Sequence, residues 1–130
     1  MLGTGTSDRT IELDNRGPTD VVVRHIVIEP GGSTGWHYHP GEVLAVVTKG
    51  TLTRTLHDCS EQVDPAGQAF VESAGKDHIH IGRNRGPDPV ELIVTYVLPA
   101  GIPLSIDAPD PGCEEPSEMQ SRNTGNTGVS

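Results

Sequence analysis

Residues 31–50 read Gly-Gly-Ser-Thr-Gly-Trp-His-Tyr-His-Pro-Gly-Glu-Val-Leu-Ala-Val-Val-Thr-Lys-Gly, and this segment is the most informative about the fold. A short segment with two histidines leads into a turn at Pro40-Gly41. The apolar run 43–48 follows and ends at Lys49-Gly50. Such a run is typical of a strand buried on both faces, and adjacent Pro and Gly mark a turn. We therefore predict strands over 34–39 and 43–48.

The rest of the chain repeats this pattern of short strands and turns. Its composition, with 16 Gly, 11 Pro, one Trp, two Tyr and one Phe in 130 residues, predicts many turns and a core of Val, Ile and Leu. No amphipathic helix of useful length is found. Strands of about 5–9 residues with frequent turn signals predict an all-β antiparallel sandwich or barrel. The further strands are predicted at 10–13, 20–28, 51–57, 68–72, 78–83 and 90–98.

The chain divides into three predicted parts. Residues 1–9 are small and polar and are predicted to be a flexible N-terminus. Residues 10–106 are predicted to form a single domain. Residues 107–130 are acidic and rich in Pro and Gly, which predicts a largely disordered tail.

Charge and cysteine content limit the possible partners and the compartment. The formal net charge of −9 argues against nucleic acid and anionic membranes as partners. The N-terminus lacks the features of a secretion signal, so a cytoplasmic protein is expected. Free thiols at Cys59 and Cys113 are then the simpler interpretation, with a disulfide between them left open.

Histidines occur in two pairs, His37 with His39 and His78 with His80. Side chains two positions apart in a strand point to the same face. If both strands line one barrel, four imidazoles converge on one point. Imidazole is a ligand for Zn, Fe, Cu and Ni, so we predict one divalent metal ion per chain.

The first pair lies in a motif of the cupin family, which this chain resembles over about residues 20–98. The family motif has Gly, five residues, His-x-His, a Glu and a closing Gly. Here Gly31 precedes His37 and His39 by that spacing, and the closing residue is Gly50. The second motif is matched by Gly67, by residues 73–75 and by either histidine of the second pair. The resemblance implies a cupin jelly roll, with motifs within 31–84 and ligands at His37, His39 and one of the second pair.

Two departures from the family motifs change the expected ligand set. The family glutamate falls at Val43, and Glu42 is one position early, so it would ligate only if a bulge at Pro40-Gly41 turned it inward. The second motif offers His78 and His80 where the family has one histidine. The predicted site is therefore four histidines, with Glu72 or Asp77 orienting a ligand imidazole from outside.

Four neutral ligands would leave the full charge on the ion, which favours Lewis-acid chemistry. Zn is the preferred ion, with Fe(II), Ni or Mn as alternatives. The pocket is expected to be apolar and to take a hydrophobic, carbonyl-rich small molecule, with Arg24 and Arg54 solvated outside it. The chain resembles small single-domain cupins that act as aromatic polyketide cyclases, which implies metal-assisted aldol cyclisation and dehydration.

In that reaction the candidate catalytic residues are His78, His80 and Tyr96. An Fe(II)-dependent dioxygenase of a β-diketone or aromatic ring is the first alternative. A non-catalytic ligand-binding protein is the second. Outward apolar residues such as Ile79 and Ile81 predict a homodimer.

Overall fold

The structure is a computed structural model that describes residues 1–13 and 15–113. A 3-10 turn at Lys76–His78 precedes the seventh strand. Within the described residues, no helix is long and apolar enough to cross a bilayer. The strands are β1 (Thr19–Ile28), β2 (His37–Tyr38), β3 (Glu42–Lys49), β4 (Thr51–Thr55), β5 (Glu61–Pro65), β6 (Ala69–Glu72), β7 (Ile81–Arg83), β8 (Val90–Pro99) and β9 (Ile106–Asp107).

These strands form two main antiparallel sheets and one small strand pair. The larger sheet has the order β1-β8-β3-β6, and the second has the order β5-β4-β7. Strands β2 and β9 pair separately. Sequential neighbours such as β3 and β4 lie in different sheets, so the chain crosses between layers as in a jelly roll. The prediction of an all-β antiparallel fold is confirmed.

The core lies between the inner faces of the two sheets. Strand β3 alternates between buried and half-buried residues, with Val43, Ala45 and Val47 at most 2% exposed. On β8 the inward residues include Leu92 and Tyr96. The sequence alone does not determine which face of this strand points into the core. Each such aliphatic side chain contributes about 1.5–3 kcal/mol by burial.

The predicted strand pattern differs from the structure at several points. Residues 10–13 do not form a strand. The predicted strand 78–83 begins only at Ile81, because residues 76–78 form the 3-10 turn. Strand β5 was not predicted, because most of its side chains are exposed and it lacks apolar alternation.

The ends of the described chain are attached to the sheets. Thr6 pairs with Gln68, and β9 pairs with β2. Cys59 and Cys113 form a disulfide, so the expectation of free thiols is wrong. Residues 114–130 of the predicted tail lie outside the described residues.

Candidate metal centre

The two histidine motifs meet at a β-bridge between His37 and His80. The His37 amide donates to the His80 carbonyl over 3.0 Å, and the His80 amide donates back over 2.9 Å. Their ring centroids are 4.4 Å apart. The backbone pairing therefore brings together two imidazoles that are 43 positions apart in sequence.

Four side chains form a cluster that can hold one metal ion. His37, His39, Glu72 and His80 each direct one ligand atom into it, and these atoms lie within 4.8 Å of one another. His39 and His80 are each 4% exposed. The donor set is three imidazoles and one carboxylate, which suits the divalent transition metals that proteins use in catalysis.

Backbone carbonyls orient all three imidazoles in the same way. Each Nδ1 lies within hydrogen-bond distance of a carbonyl oxygen: His37 of Gly35 at 2.8 Å, His39 of Leu104 at 2.9 Å, and His80 of His78 at 2.7 Å. A carbonyl only accepts, so each Nδ1 carries the proton. In a neutral imidazole this leaves the Nε2 lone pair free for a metal.

Glu72 enters the cluster from β6 and faces two of these lone pairs. Its Oε1 lies 3.2 Å from His39 Nε2, and its Oε2 lies 3.1 Å from His80 Nε2. The buried His80 Nε2 makes no hydrogen bond of acceptable geometry. Carboxylate oxygens and imidazole lone pairs are all acceptors, so a cation or proton between them is needed to make the arrangement favourable. The residues present therefore fit a metal ion.

Burial and mutual proximity also shift the pKa values of these groups. Burial, together with the nearby His80, lowers the pKa of His37 to about 4, so His37 is neutral at pH 7. Burial would raise the pKa of Glu72, but the neighbouring His80 and His39 hold it well below its usual value. His37 and Glu72 are thus in the protonation state that metal binding requires. Burial would lower the pKa of His80, but the neighbouring Glu72 raises it above its usual value, so an ion that binds there competes with a proton.

The structure does not bring every predicted ligand into this cluster. His78 ends the 3-10 turn, where strand alternation with His80 does not apply, and its exposed ring lies 5.6 Å from that of His57. Glu42 lies on the outer face of β3, since Val43 points inward. The register irregularity of β3 falls between Val47 and Lys49 and not at Pro40-Gly41. The bulge that would turn Glu42 inward is therefore absent.

A cavity of about 50 Å³ adjoins the cluster. Ile26, Leu92 and Val94 contribute to its apolar wall. Tyr96 also lines it, and the phenolic oxygen of Tyr96 accepts a hydrogen bond from Arg24 Nη1 over 3.3 Å. The Tyr96 proton is thus available to an acceptor in the cavity.

Arg54 lines the same cavity, contrary to the expectation of a solvated outer residue. It is 7% exposed, and its Nε donates to Asp64 Oδ2 over 2.8 Å. Its guanidinium carbon lies 3.6 Å from the centre of the Phe70 ring. Asp64, also buried, sits on the neighbouring strand β5, and this pairing makes the burial of an arginine tolerable.

Sequence reasoning placed Glu72 outside the metal ligands. The signal that would have found it is the strand register, because Glu72 pairs directly with Val43, the position of the family glutamate. Directly paired residues of an antiparallel sheet point to the same face. Glu72 therefore supplies a carboxylate where the family motif has one, but from the neighbouring strand.

An antiparallel jelly roll with an internal cluster of histidines and one carboxylate is typical of a class of metal-binding proteins. The comparison with known families agrees with this assignment. The family profile described as "Cupin domain" matches residues 24–96. The chain belongs to the cupin family. No curated protein sequence matches it.

Solved structures share the fold at low sequence identity. A conserved protein with a double-stranded β-helix domain from Klebsiella pneumoniae is 24% identical, with a TM-score of 0.55 over 76% of this chain and 81% of that one. The DMSP lyase DddQ from Ruegeria pomeroyi is 15% identical, with a TM-score of 0.60 over 71% of this chain. This chain spans only 45% of the lyase. A recombinant oxalate oxidase in complex with glycolate is 21% identical, with a TM-score of 0.57 over 80% of this chain and 56% of the oxidase.

Proposed function

We propose that the protein is a metal-dependent enzyme that acts on a small carbonyl-bearing molecule. The observation that carries this proposal is the set of three imidazoles whose Nδ1 atoms are fixed by carbonyls and whose Nε2 atoms share one cluster with Glu72. Fixed ligands of this kind hold a site open for substrate at low reorganisation cost. When bound, a divalent ion would polarise substrate oxygens as a Lewis acid.

The other residues of the cavity serve binding and water exclusion. The apolar wall, to which Ile26 and Leu92 contribute, disfavours water beside the cluster. Tyr96 donates its phenolic proton to a substrate oxygen, and the Arg24 hydrogen bond holds the ring in place. Burial raises the pKa of Tyr96, so it stays a donor at neutral pH.

Aromatic polyketide cyclisation is less well supported than a reaction on a smaller substrate. Four neutral ligands favour the Lewis-acid chemistry of a cyclase, whereas Glu72 would cancel part of the charge of the ion. The cavity of about 50 Å³ is also small, because pockets for drug-sized ligands are about 300–1,000 Å³. An oxalate oxidase with bound glycolate among the similar structures agrees with a small, oxygen-rich substrate.

Oxygen-dependent chemistry with Fe(II) is the second candidate. The specific observation in its favour is Glu72, since histidines with one carboxylate are the usual ligands of non-haem iron oxygenases. The preference for Zn depends on an all-histidine site, and the presence of Glu72 in the cluster removes that support. Oxygen uptake with a β-diketone, measured after loading with Fe(II) or with Zn, separates the two chemistries.

The test of the proposed function uses the full chain, stripped with EDTA and reloaded with Zn, Fe(II) or Mn. We expect about one ion per chain in the wild type and in the exposed control variant His57→Ala, and loss of the ion in His37→Ala. Turnover of a panel of small keto acids and β-diketones should require the ion. A chain that keeps one ion but turns over none of these substrates would favour the ligand-binding alternative, and a chain that binds no ion would contradict the proposal.

A further inference from the structure

Arg54 is a buried cation whose hydrogen-bonding capacity is only partly used. Its Nε donates to Asp64, while Nη1 lies 3.9 Å from Glu72 Oε2, beyond hydrogen-bond distance. Among the residues that the structure describes, neither terminal nitrogen has a hydrogen-bond partner. Neither nitrogen is among the fully buried side-chain atoms without a partner, and Arg54 lines the cavity, so both nitrogens can donate to a ligand there.

Arg54 is held in place from two sides. Asp64 fixes the Nε edge of the guanidinium, and the Phe70 ring packs against its face. The group therefore loses little conformational freedom when it binds a ligand, which is the condition for strong and specific recognition. Its terminal N–H groups form charge-assisted hydrogen bonds and therefore suit a negatively charged oxygen.

The charges of the cavity favour an anion once a metal is present. The positive charge of Arg54 is balanced by the negative charge of Asp64. The carboxylate of Glu72 therefore gives the cavity a net charge of minus one. A divalent ion would change this to one net positive charge. An anion with one charge then neutralises the site, whereas a neutral ligand leaves a net charge in low-dielectric surroundings.

We infer that Arg54 determines substrate specificity and that the substrate is a small monoanion, a carboxylate or an enolate, one oxygen of which accepts hydrogen bonds from the terminal nitrogens of Arg54. This inference rests on the proposed metal site and adds the substrate class to it.

A second cavity, of about 160 Å³, lies beside Arg54, Leu56 and His57. It shares Arg54, Glu72 and His80 with the cavity at the metal cluster. Arg54 therefore lies where the two cavities meet.

The test measures ligand binding to the cobalt-loaded full chain by the visible spectrum of the ion. The probes are acetate and glycolate, their neutral amides, and imidazole as a neutral ligand of the metal alone. We expect Arg54→Gln to weaken carboxylate binding about tenfold or more, with imidazole binding unchanged. The surface variant Arg85→Gln is the control and should match the wild type.

A second variant protects the test against misfolding. Arg54→Gln leaves Asp64 buried without its partner, so Arg54→Gln with Asp64→Asn removes both charges together. Carboxylate affinity within twofold of the wild type in a folded, cobalt-loaded double variant would overturn the role of Arg54 and leave the metal site standing. Failure of the wild type to bind cobalt would overturn the proposed function, and this inference with it.

Discussion

Val43 on β3 and Glu72 on β6 are direct pairing partners in the antiparallel sheet. In the cupin motif the ligand carboxylate belongs at the position of Val43. Here that position carries an apolar core residue, and the carboxylate comes from its cross-strand partner. Because Glu72 is the direct pairing partner of Val43, its carboxylate still lies beside His39 and His80.

An exchange of these two residues tests whether the position of the carboxylate, and not its strand, matters. Glu72→Val should weaken metal binding more than about 100-fold, since loss of a group that only supports a ligand already costs about 10–100-fold. Adding Val43→Glu should recover at least part of that affinity. Competition with a chromophoric chelator measures both values. Equal affinity in the wild type and Glu72→Val would show that Glu72 is not a ligand.

His78 and His80 provide a matched pair for the second motif. Because His80 lies in the cluster and His78 in an exposed turn beside His57, His80→Gln should abolish stoichiometric metal binding. His78→Gln should retain about one ion per chain, because its contribution to the site is the backbone carbonyl that binds His80 Nδ1. Elemental analysis of the two purified variants decides the matter, and loss of the ion in both would restore the four-histidine prediction.

The Cys59–Cys113 disulfide should stabilise the fold, because it closes a long loop with a sequence separation of 54. We expect Cys59→Ser to lower the free energy of unfolding by about 2–4 kcal/mol in urea titrations. The wild type in reductant should behave like the variant, and the variant itself should not respond to reductant. An unchanged unfolding midpoint in both cases would mean that the cross-link does not stabilise the native state.

The same cross-link should influence the metal site. Leu104, whose carbonyl binds His39 Nδ1, and β9, which pairs with β2, belong to the segment that ends at Cys113. We expect reduction to weaken metal binding by up to about tenfold, because His39 loses part of its support. Chelator competition with and without reductant measures this effect, and Cys113→Ser, which lacks the disulfide in both conditions, is its control.

The two glycines that bound the first motif should differ in their tolerance of a side chain. Gly31 and Gly50 have φ of 84° and 73°, which disfavour other residues. A Cβ at Gly50 would also lie 2.6 Å from the Pro89 carbonyl oxygen, whereas nothing lies within 4 Å of one at Gly31. Gly50→Ala should therefore cost about 1–3 kcal/mol more than Gly31→Ala in thermal unfolding. Equal losses would mean that backbone strain alone is responsible.

The sequence was sufficient for the fold class and for three of the four clustered residues. Glycine-bounded motifs and buried apolar runs depend on local patterns, so β3, β8 and the histidines His37, His39 and His80 could be predicted. Glu72, the buried position of Arg54 and the exposed position of His78 depend on which strands pair and in which register. Arg54 shows the limit clearly, because its burial depends on Asp64, ten positions away in sequence.

X-ray absorption spectroscopy of the metal-loaded full chain, combined with elemental analysis, tests whether three histidines and Glu72 bind one ion. We expect one ion per chain with three imidazole ligands and at least one carboxylate oxygen, and loss of that oxygen signal in Glu72→Val. Four imidazoles around the ion, or no stoichiometric ion after reloading, would contradict it.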